Sequence, residues 1–424
     1  MTQLGATGSG SAAKPRPGRP DQPSLWHYER PKILSPKRPP TETVGLADIF
    51  PYYAGFSFEW ACSQLQSYSG NPDAVVLDPW NGSGTTTLAA QYDGYRSVGV
   101  DLNPVANLIA RARCHLNGLA LVSPPPSRRS TRIFDDPLCN WFTDSSVARL
   151  RDWTRYFGRT GIKRSIPGIL AIFRAVRKMT SSFEGSNPTW VKKASADADL
   201  ISVPFDEIDF IVTSEIETVV SRIREEPKTE SSSLILRASA SNIPLKANSV
   251  DLILTSPPYL TRIDYGVAYA RELAVLGINI YEDRSLRSAL MGTTLIRPAA
   301  AHLEFGGVAK SLLKKISSHE SKASSGYYLK QTTQYMLDLS AGMDELSRVA
   351  KPGSYAFLVV QDSYYKDIPV PLAEICIDEA SNRGWVLDSS IPFPVIRSLM
   401  TVNRHARSYK KGTVSETVIG LRRK

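Results

Sequence analysis

The chain has 424 residues, 42% of them hydrophobic, which is enough for one large domain with an insertion or for two domains. No apolar run approaches the roughly 18 residues needed to cross a bilayer, and no signal peptide is evident, so a cytoplasmic protein without a membrane partner is expected. The formal net charge of +10 suits a partner as anionic as nucleic acid. The four cysteines form no C-x-x-C pair and the five histidines no metal pattern, so neither a disulfide framework nor a bound metal is expected.

Residues 1–40 hold eight prolines among Gly, Ser, Lys and Arg, a composition that predicts a disordered basic tail. Within it, Lys14-Pro15-Arg16-Pro17-Gly18-Arg19-Pro20 loosely resembles a minor-groove hook. The aromatic segment Phe50-Pro51-Tyr52-Tyr53-Ala54-Gly55-Phe56-Ser57 leads into a helix expected at 57–68. Val75-Val76-Leu77-Asp78 reads as a buried strand, Pro79-Trp80-Asn81-Gly82-Ser83-Gly84 as a tight turn, and Thr85 as the start of a helix. Gly82 and Gly84 let the backbone turn sharply and approach a ligand closely. The helix start adds unpaired N–H groups and a positive dipole end. The turn is not a phosphate loop, because the G-x-x-x-x-G-K-[ST] spacing and its Lys are missing, and the full G-x-G-x-x-G is missing too. Arg96-Ser97-Val98-Gly99-Val100-Asp101 reads as the next parallel strand, ending in an acid of the kind that hydrogen-bonds ribose hydroxyls; Leu102-Asn103-Pro104 follow.

Residues 121–235 interrupt this pattern. Ser123-Pro124-Pro125-Pro126, with Arg128, Arg129 and Arg132, reads as a linker leaving the core, and helices are expected near 144–158 and 166–183. The second carries Phe173, Arg174, Arg177 and Lys178; a later turn, Gly185 to Trp190, is followed by Lys192 and Lys193. The core returns with Ala238 to Leu245 and the apolar run Val250-Asp251-Leu252-Ile253-Leu254, which Pro257 and Pro258 stop. Thr255-Ser256-Pro257-Pro258-Tyr259 thus holds a hydroxyl, a carbonyl and an aromatic ring at the carboxyl end of a strand, where open α/β sheets bind ligands. A second non-core stretch runs from about 262 to 330 and begins Thr261-Arg262-Ile263-Asp264-Tyr265. Residues 332–350 have helical apolar spacing, ended by Lys351-Pro352-Gly353. Tyr355 to Val360 and Glu416 to Leu421 read as strands.

Taken in this order, the two motifs resemble those of the amino-methyltransferases, which methylate the exocyclic nitrogen of a base in nucleic acid. The first is similar to their D-P-F-x-G-S-G-T motif, with Trp80 in the Phe position, and the second to their S-P-P-Y motif. The resemblance covers roughly 45–120, 235–270 and 330–424. The Ser form is similar to the cytosine-N4 DNA branch; the adenine-N6 branch more often has Asp or Asn there. The resemblance implies an α/β fold with a Rossmann-like, mostly parallel methyltransferase sheet, a late antiparallel strand and a largely helical insertion. It divides the chain into a tail (1–40), a first catalytic part (41–120), an insertion that is a candidate target-recognition region (121–235) and a second catalytic part (236–424).

It also implies S-adenosylmethionine as cofactor, held by Asp78, Pro79, Gly82, Gly84, Thr85, Asp101 and Asn103. Tyr53 and Phe56 would close over it. Relatives often carry an acid near the Ser239 position to contact the adenine; here Ser239, Ser241 or Asn242 stands in. The Ser256 side chain and the Pro257 carbonyl would accept hydrogen bonds from the target amine, with Pro258 stiffening the loop. Tyr259 would stack on a base flipped out of duplex DNA. Candidates for DNA contact are Arg174, Arg177, Lys178, Trp190, Lys192, Lys193, Arg262 and Tyr265, and either inserted stretch could read bases. No cysteine follows a proline, so the nucleophile of cytosine-C5 methyltransferases is absent. Three readings are open: a cytosine-N4 DNA methyltransferase serving restriction-modification or phage defence, with a cognate endonuclease as partner; an adenine-N6 or RNA base methyltransferase on the same fold; and a catalytically dead DNA-binding relative, which the intact motifs disfavour.

Overall fold

A computed structural model describes residues 34–37, 45–50, 55–68, 71, 73–115, 124–126, 135–185, 189–226, 231–260, 263–298, 304–321, 324–395 and 414–424. The basic segment at 14–20, Tyr53 and Arg262 lie outside the described residues. Residues 35–424 form one compact unit.

The unit is built on strands β1 (Val75–Asp78), β2 (Arg96–Asp101), β3 (Ser233–Arg237), β4 (Val250–Thr255), β5 (Ala350–Gln361), β8 (Trp385–Pro394) and β9 (Ser415–Arg423), in the order β3-β2-β1-β4-β5-β9-β8. A small hairpin, β6 (Ser363–Tyr365) with β7 (Ile368–Val370), stands apart. The strands from β3 to β5 pair in parallel, and β9 runs antiparallel to both β5 and β8. This is the Rossmann-like methyltransferase sheet. Val76 and Leu77 of β1 and Leu252, Ile253 and Leu254 of β4 are fully buried, as expected of central parallel strands with both faces covered. The direction of strand progression reverses between β1 and β4, which creates a crevice at their carboxyl ends.

Helices α1 (Leu46–Ile49), α2 (Phe58–Ser67), α3 (Thr85–Tyr92) and α4 (Pro104–His115) accompany the first strands. Ser57 caps α2 by accepting from Trp60 N–H. Between α4 and β3 lie α5 (Asp144–Gly158), α6 (Ile162–Met179) and α7 (Phe205–Glu225). They share a core of Trp141, Phe142, Trp153, Phe157 and Phe173 with Val105 and Ile109 of α4. Gly168 lets α6 approach α5 closely, since a Cβ there would stand 2.2 Å from the Phe157 ring. After β4 come α8 (Tyr265–Ala268), α9 (Ala270–Val275), α10 (Ser285–Ala289), α11 (Gly307–Ser317) and α12 (Leu329–Val349), and α13 (Leu372–Ser381) precedes β8. Tyr265, Leu273 and Leu286 join the same helical core, so the first part of the 262–330 stretch continues the body built by the insertion. A second core joins Leu77, Ile253 and Leu358 of the sheet to Tyr335, Met336, Leu339 and Met343 of α12 and Ile375 of α13.

Three boundaries differ from the sequence reading. The insertion does not run through 235, because Ser233–Arg237 is a strand paired with β2. The second insertion helix lies one turn earlier than expected, at Ile162–Met179. Helix α12 ends at Val349, and Ala350 already pairs with Val250, so Lys351-Pro352-Gly353 belong to an irregular strand start where the register shifts.

Candidate active site

The Asp78 carboxylate ties three elements together. Its Oδ1 accepts from Trp80 N–H (3.0 Å) and the Thr255 hydroxyl (2.6 Å), and its Oδ2 from the Thr86 hydroxyl (2.6 Å). Thr255 ends β4 and Thr86 lies in the first turn of α3, so one buried acid holds both motif loops to β1. Burial pushes its pKa from 3.8 to about 6, against the pull of those hydrogen bonds; the neighbouring Asp101 pushes the same way.

Asp101 holds the glycine turn from the next strand. Its Oδ2 accepts from Gly82 N–H (2.9 Å) and its Oδ1 from Asn103 N–H (2.8 Å). Burial raises this acid to about 6 as well. Asn103 accepts from Val105 N–H at the start of α4, and Asn107 Nδ2 donates to the Asp101 carbonyl (2.8 Å). Asn81 Oδ1 accepts from the Thr87 hydroxyl, whereas its buried Nδ2 has no partner among the described residues. Gly84, at φ +85°, is needed for packing: a Cβ there would stand 2.8 Å from Ala110 Cβ on α4. Overpacking and a left-handed side chain together predict that Gly84→Ala lowers stability by about 2–4 kcal/mol, read as a lower denaturation midpoint.

At the end of β4 the Ser256 hydroxyl donates to the Val359 carbonyl of β5 (2.8 Å). With its single proton so engaged, the oxygen is left as an acceptor, and Ser256 lines the pocket. The Pro258 carbonyl accepts from the Tyr335 hydroxyl of α12 (2.7 Å).

These groups line one pocket over the switch point. Its walls are Phe56; Asp78, Pro79, Trp80, Asn81, Ser83 and Thr85 after β1; Asp101, Leu102 and Asn103 after β2; Ser239, Ala240 and Ser241 after β3; and Ser256 and Pro258 after β4. Tyr265, Leu290, Met291, Arg297 and Asp338 close the far side. The Ser239 and Ser241 hydroxyls are 2.8 Å apart, where relatives were expected to carry an acid.

Several expected roles are corrected by these positions. Tyr259 lines no part of the pocket: its ring packs in the sheet core and its hydroxyl donates to Glu416. The aromatic ring beyond the proline turn that does line the pocket is Tyr265, which was expected on a DNA face. Pro257 is buried and lines no part of the pocket; Gly82 and Gly84 shape its wall without lining it. Arg174 is not a phosphate-seeking side chain, because its Nε pairs with Glu215 (2.6 Å) and its Nη1 donates to the Ile49 carbonyl (2.9 Å). Arg177 pairs with Glu272 and lies over the Tyr269 ring. Both arginines brace the helical body. Lys178, Trp190, Lys192 and Lys193 are exposed; the Lys193 ammonium sits 4.7 Å from the Tyr281 ring centre. The sequence reading missed Arg297 and Asp338, which carry no motif. The described residues contain no group of three or more potential metal ligands and no helix long and apolar enough to cross a membrane.

No family model matches the chain. It is 25% identical over 286 residues to the Type II methyltransferase M.BsoBI of Geobacillus stearothermophilus, covering 58% of this chain and 55% of that protein. The chain therefore spans little more than half the length of that relative. It is 21% identical over 390 residues to the Type II methyltransferase M.AvaI of a Nostoc strain, covering 81% of this chain and 80% of that protein. Among solved structures, a SAM-dependent methyltransferase from Methanosarcina mazei is 10% identical with a TM-score of 0.31, covering 85% of this chain and 96% of that one. A geranyl diphosphate methyltransferase in complex with SAM is 8% identical with a TM-score of 0.33, covering 87% and 84%. Likenesses this shallow add nothing to the fold, which rests on the strand order.

Proposed function

We propose that the protein is an S-adenosylmethionine-dependent DNA methyltransferase acting on the exocyclic amine of a base, with cytosine N4 as the target. The observation that carries this reading is a single pocket joining the Asp78–Thr85 loop, Asp101 and the Ser256–Pro258 turn at the switch point of the sheet. The similarity to two Type II methyltransferases supports it.

The residues fit the cofactor. Asp78 and Asp101 offer two carboxylates to a cationic ligand bearing ribose hydroxyls, the orphaned Asn81 Nδ2 offers a donor, and the Ser239–Ser241 hydroxyls stand beyond β3 where an adenine would be received. Phe56 and Trp80 supply apolar walls. When bound, S-adenosylmethionine supplies a methyl group on a sulfonium centre. The chain's contribution is alignment. An exocyclic amine is a poor nucleophile because its lone pair is conjugated into the ring. Ser256 Oγ accepts from the amine and concentrates electron density on nitrogen, and the rigid proline turn holds it in line with the donor. A base in a duplex cannot enter this crevice, so it is flipped out, and Tyr265 offers the ring against which it rests.

On the DNA side, the insertion contributes Lys178, Lys192 and Lys193 as phosphate contacts, with Trp190 beside them. Neutralising the three lysines is expected to reduce the slope of log affinity against log salt by up to about three units, and to weaken matched and unrelated duplexes alike. An unchanged slope, measured by anisotropy titration at several salt concentrations, would move the DNA surface elsewhere. A role in restriction-modification with a cognate endonuclease is part of the same proposal. The reading is tested by supplying radiolabelled methyl donor with unmethylated duplex DNA, RNA or protein acceptors. Label entering DNA alone supports it, and label entering RNA or protein instead, or no acceptor at all, refutes it.

A further inference from the structure

The pocket contains a carboxylate that neither motif accounts for. Asp338 lies mid-way along α12, and the helix is docked on both motif loops around it. Three residues earlier, Tyr335 donates to the Pro258 carbonyl (2.7 Å). Four residues later, Gly342 makes room for Trp80: a Cβ there would stand 2.8 Å from the indole ring. Residues three and four apart share a helix face, so Asp338 stands between the loop that receives the amine and the loop that receives the cofactor. Its Oδ1 is held by Arg297 Nη2 (2.5 Å), and the Arg297 N–H is itself fixed by Gln334 Oε1 (2.8 Å). Its Oδ2 is buried with no hydrogen-bond partner among the described residues. A buried carboxylate oxygen without a donor is a costly arrangement.

Resting on the reading above, we propose that Asp338 Oδ2 takes the proton released by the target amine, with Arg297 as its positioning residue. The nitrogen forms its bond to the methyl carbon as the carbon–sulfur bond breaks, and that electron pair stays on sulfur. The nitrogen, now cationic, gives one N–H proton to Oδ2, and the resulting carboxylic acid later loses it to solvent. The products are the methylated neutral base, S-adenosylhomocysteine and a proton. Burial holds this acid above its ordinary range while Arg297 opposes the shift, so the group is a better proton acceptor than an exposed aspartate. The titratable groups around it are Arg297 on the preceding loop, Tyr335 on its own helix, and Asp78, Asp101 and Tyr265 across the pocket.

The test compares the full-length parent with Asp338→Asn, Asp338→Glu and Arg297→Gln. Single-turnover transfer to DNA is followed against pH at saturating S-adenosylmethionine, and S-adenosylhomocysteine affinity is measured by calorimetry. The parent rate should fall on the acid side as Asp338 protonates. In Asp338→Asn the rate should drop about a hundredfold and the acid limb should vanish, with cofactor affinity within a few-fold of the parent. Asp338→Glu should recover part of the rate, and Arg297→Gln should move the acid limb to higher pH. A near-parental rate in a folded Asp338→Asn protein would overturn the proposal while leaving the methyltransferase reading in place. So would a tenfold loss of cofactor affinity with the acid limb unchanged, which would make Asp338 a cofactor ligand. A parent chain that transfers no methyl group to any base would overturn both.

Discussion

Ser256→Ala should slow methyl transfer by about a hundredfold, the loss typical of one preorganised polar contact to a reacting group. The geometry makes this sharper than a generic deletion. The Ser256 proton is committed to the Val359 carbonyl, so the oxygen meets an incoming amine only as an acceptor. The same substitution leaves Val359 without that donor, a cost of about 1 kcal/mol, too little to unfold the chain. Asp78, Asp101 and the glycine turn are untouched, so cofactor affinity should stay within a few-fold of the parent. Single-turnover kinetics beside calorimetry separate the two effects. Near-parental transfer in the variant would remove Ser256 from the chemistry and, with it, the main reason to prefer cytosine over adenine.

The second large effect concerns Asp78. Alanine there leaves the Trp80 N–H and the Thr255 hydroxyl without their acceptor and Thr86 with only the Leu254 carbonyl (3.0 Å). The expected loss is about 3–5 kcal/mol of stability, together with the cofactor pocket. Asp78→Asn keeps much of the shape while removing the charge, and should lower cofactor affinity more than tenfold. The parent should show a matching pH dependence. Asp78 and Asp101 have folded pKa values raised from 3.8 to about 6, so the folded state without cofactor binds more protons than the unfolded chain between these values. Its stability therefore falls as pH rises from about 4 to 6. A cationic ligand favours the ionised acids, so its affinity should rise with pH up to about 6 and level off above it. Calorimetric affinities between pH 5 and 8 check this; a flat profile would mean that neither carboxylate senses the ligand.

Local pattern made much of the site legible before any coordinates. The largely apolar runs at Val75–Leu77 and Val250–Leu254 and the residues that end them placed both loops correctly at strand carboxyl ends. What sequence could not give was direction. Tyr259 carries the motif's ring, yet the turn sends it into the core, where it meets Glu416 from a strand 157 residues away. Arg174 and Arg177 look like a basic helix face in isolation; their partners Glu215 and Glu272 come from other helices, and only packing reveals the pairing. Asp338 was hidden for the same reason. One acid in an amphipathic helix has no signature until Tyr335 and Gly342 are seen docked on the two loops.

On the proposed reading, this pocket delivers a methyl group to the exocyclic nitrogen of a DNA base. The most direct measurement is to treat unmethylated DNA with the parent protein and S-adenosylmethionine, digest it to nucleosides and weigh and fragment the products, with Ser256→Ala treated in parallel. N4-methyl-2′-deoxycytidine is expected from the parent, and about a hundredth as much from the variant at early times. N6-methyl-2′-deoxyadenosine would redirect the specificity to adenine, and DNA with no N-methylated base, or with 5-methylcytosine alone, would contradict the account.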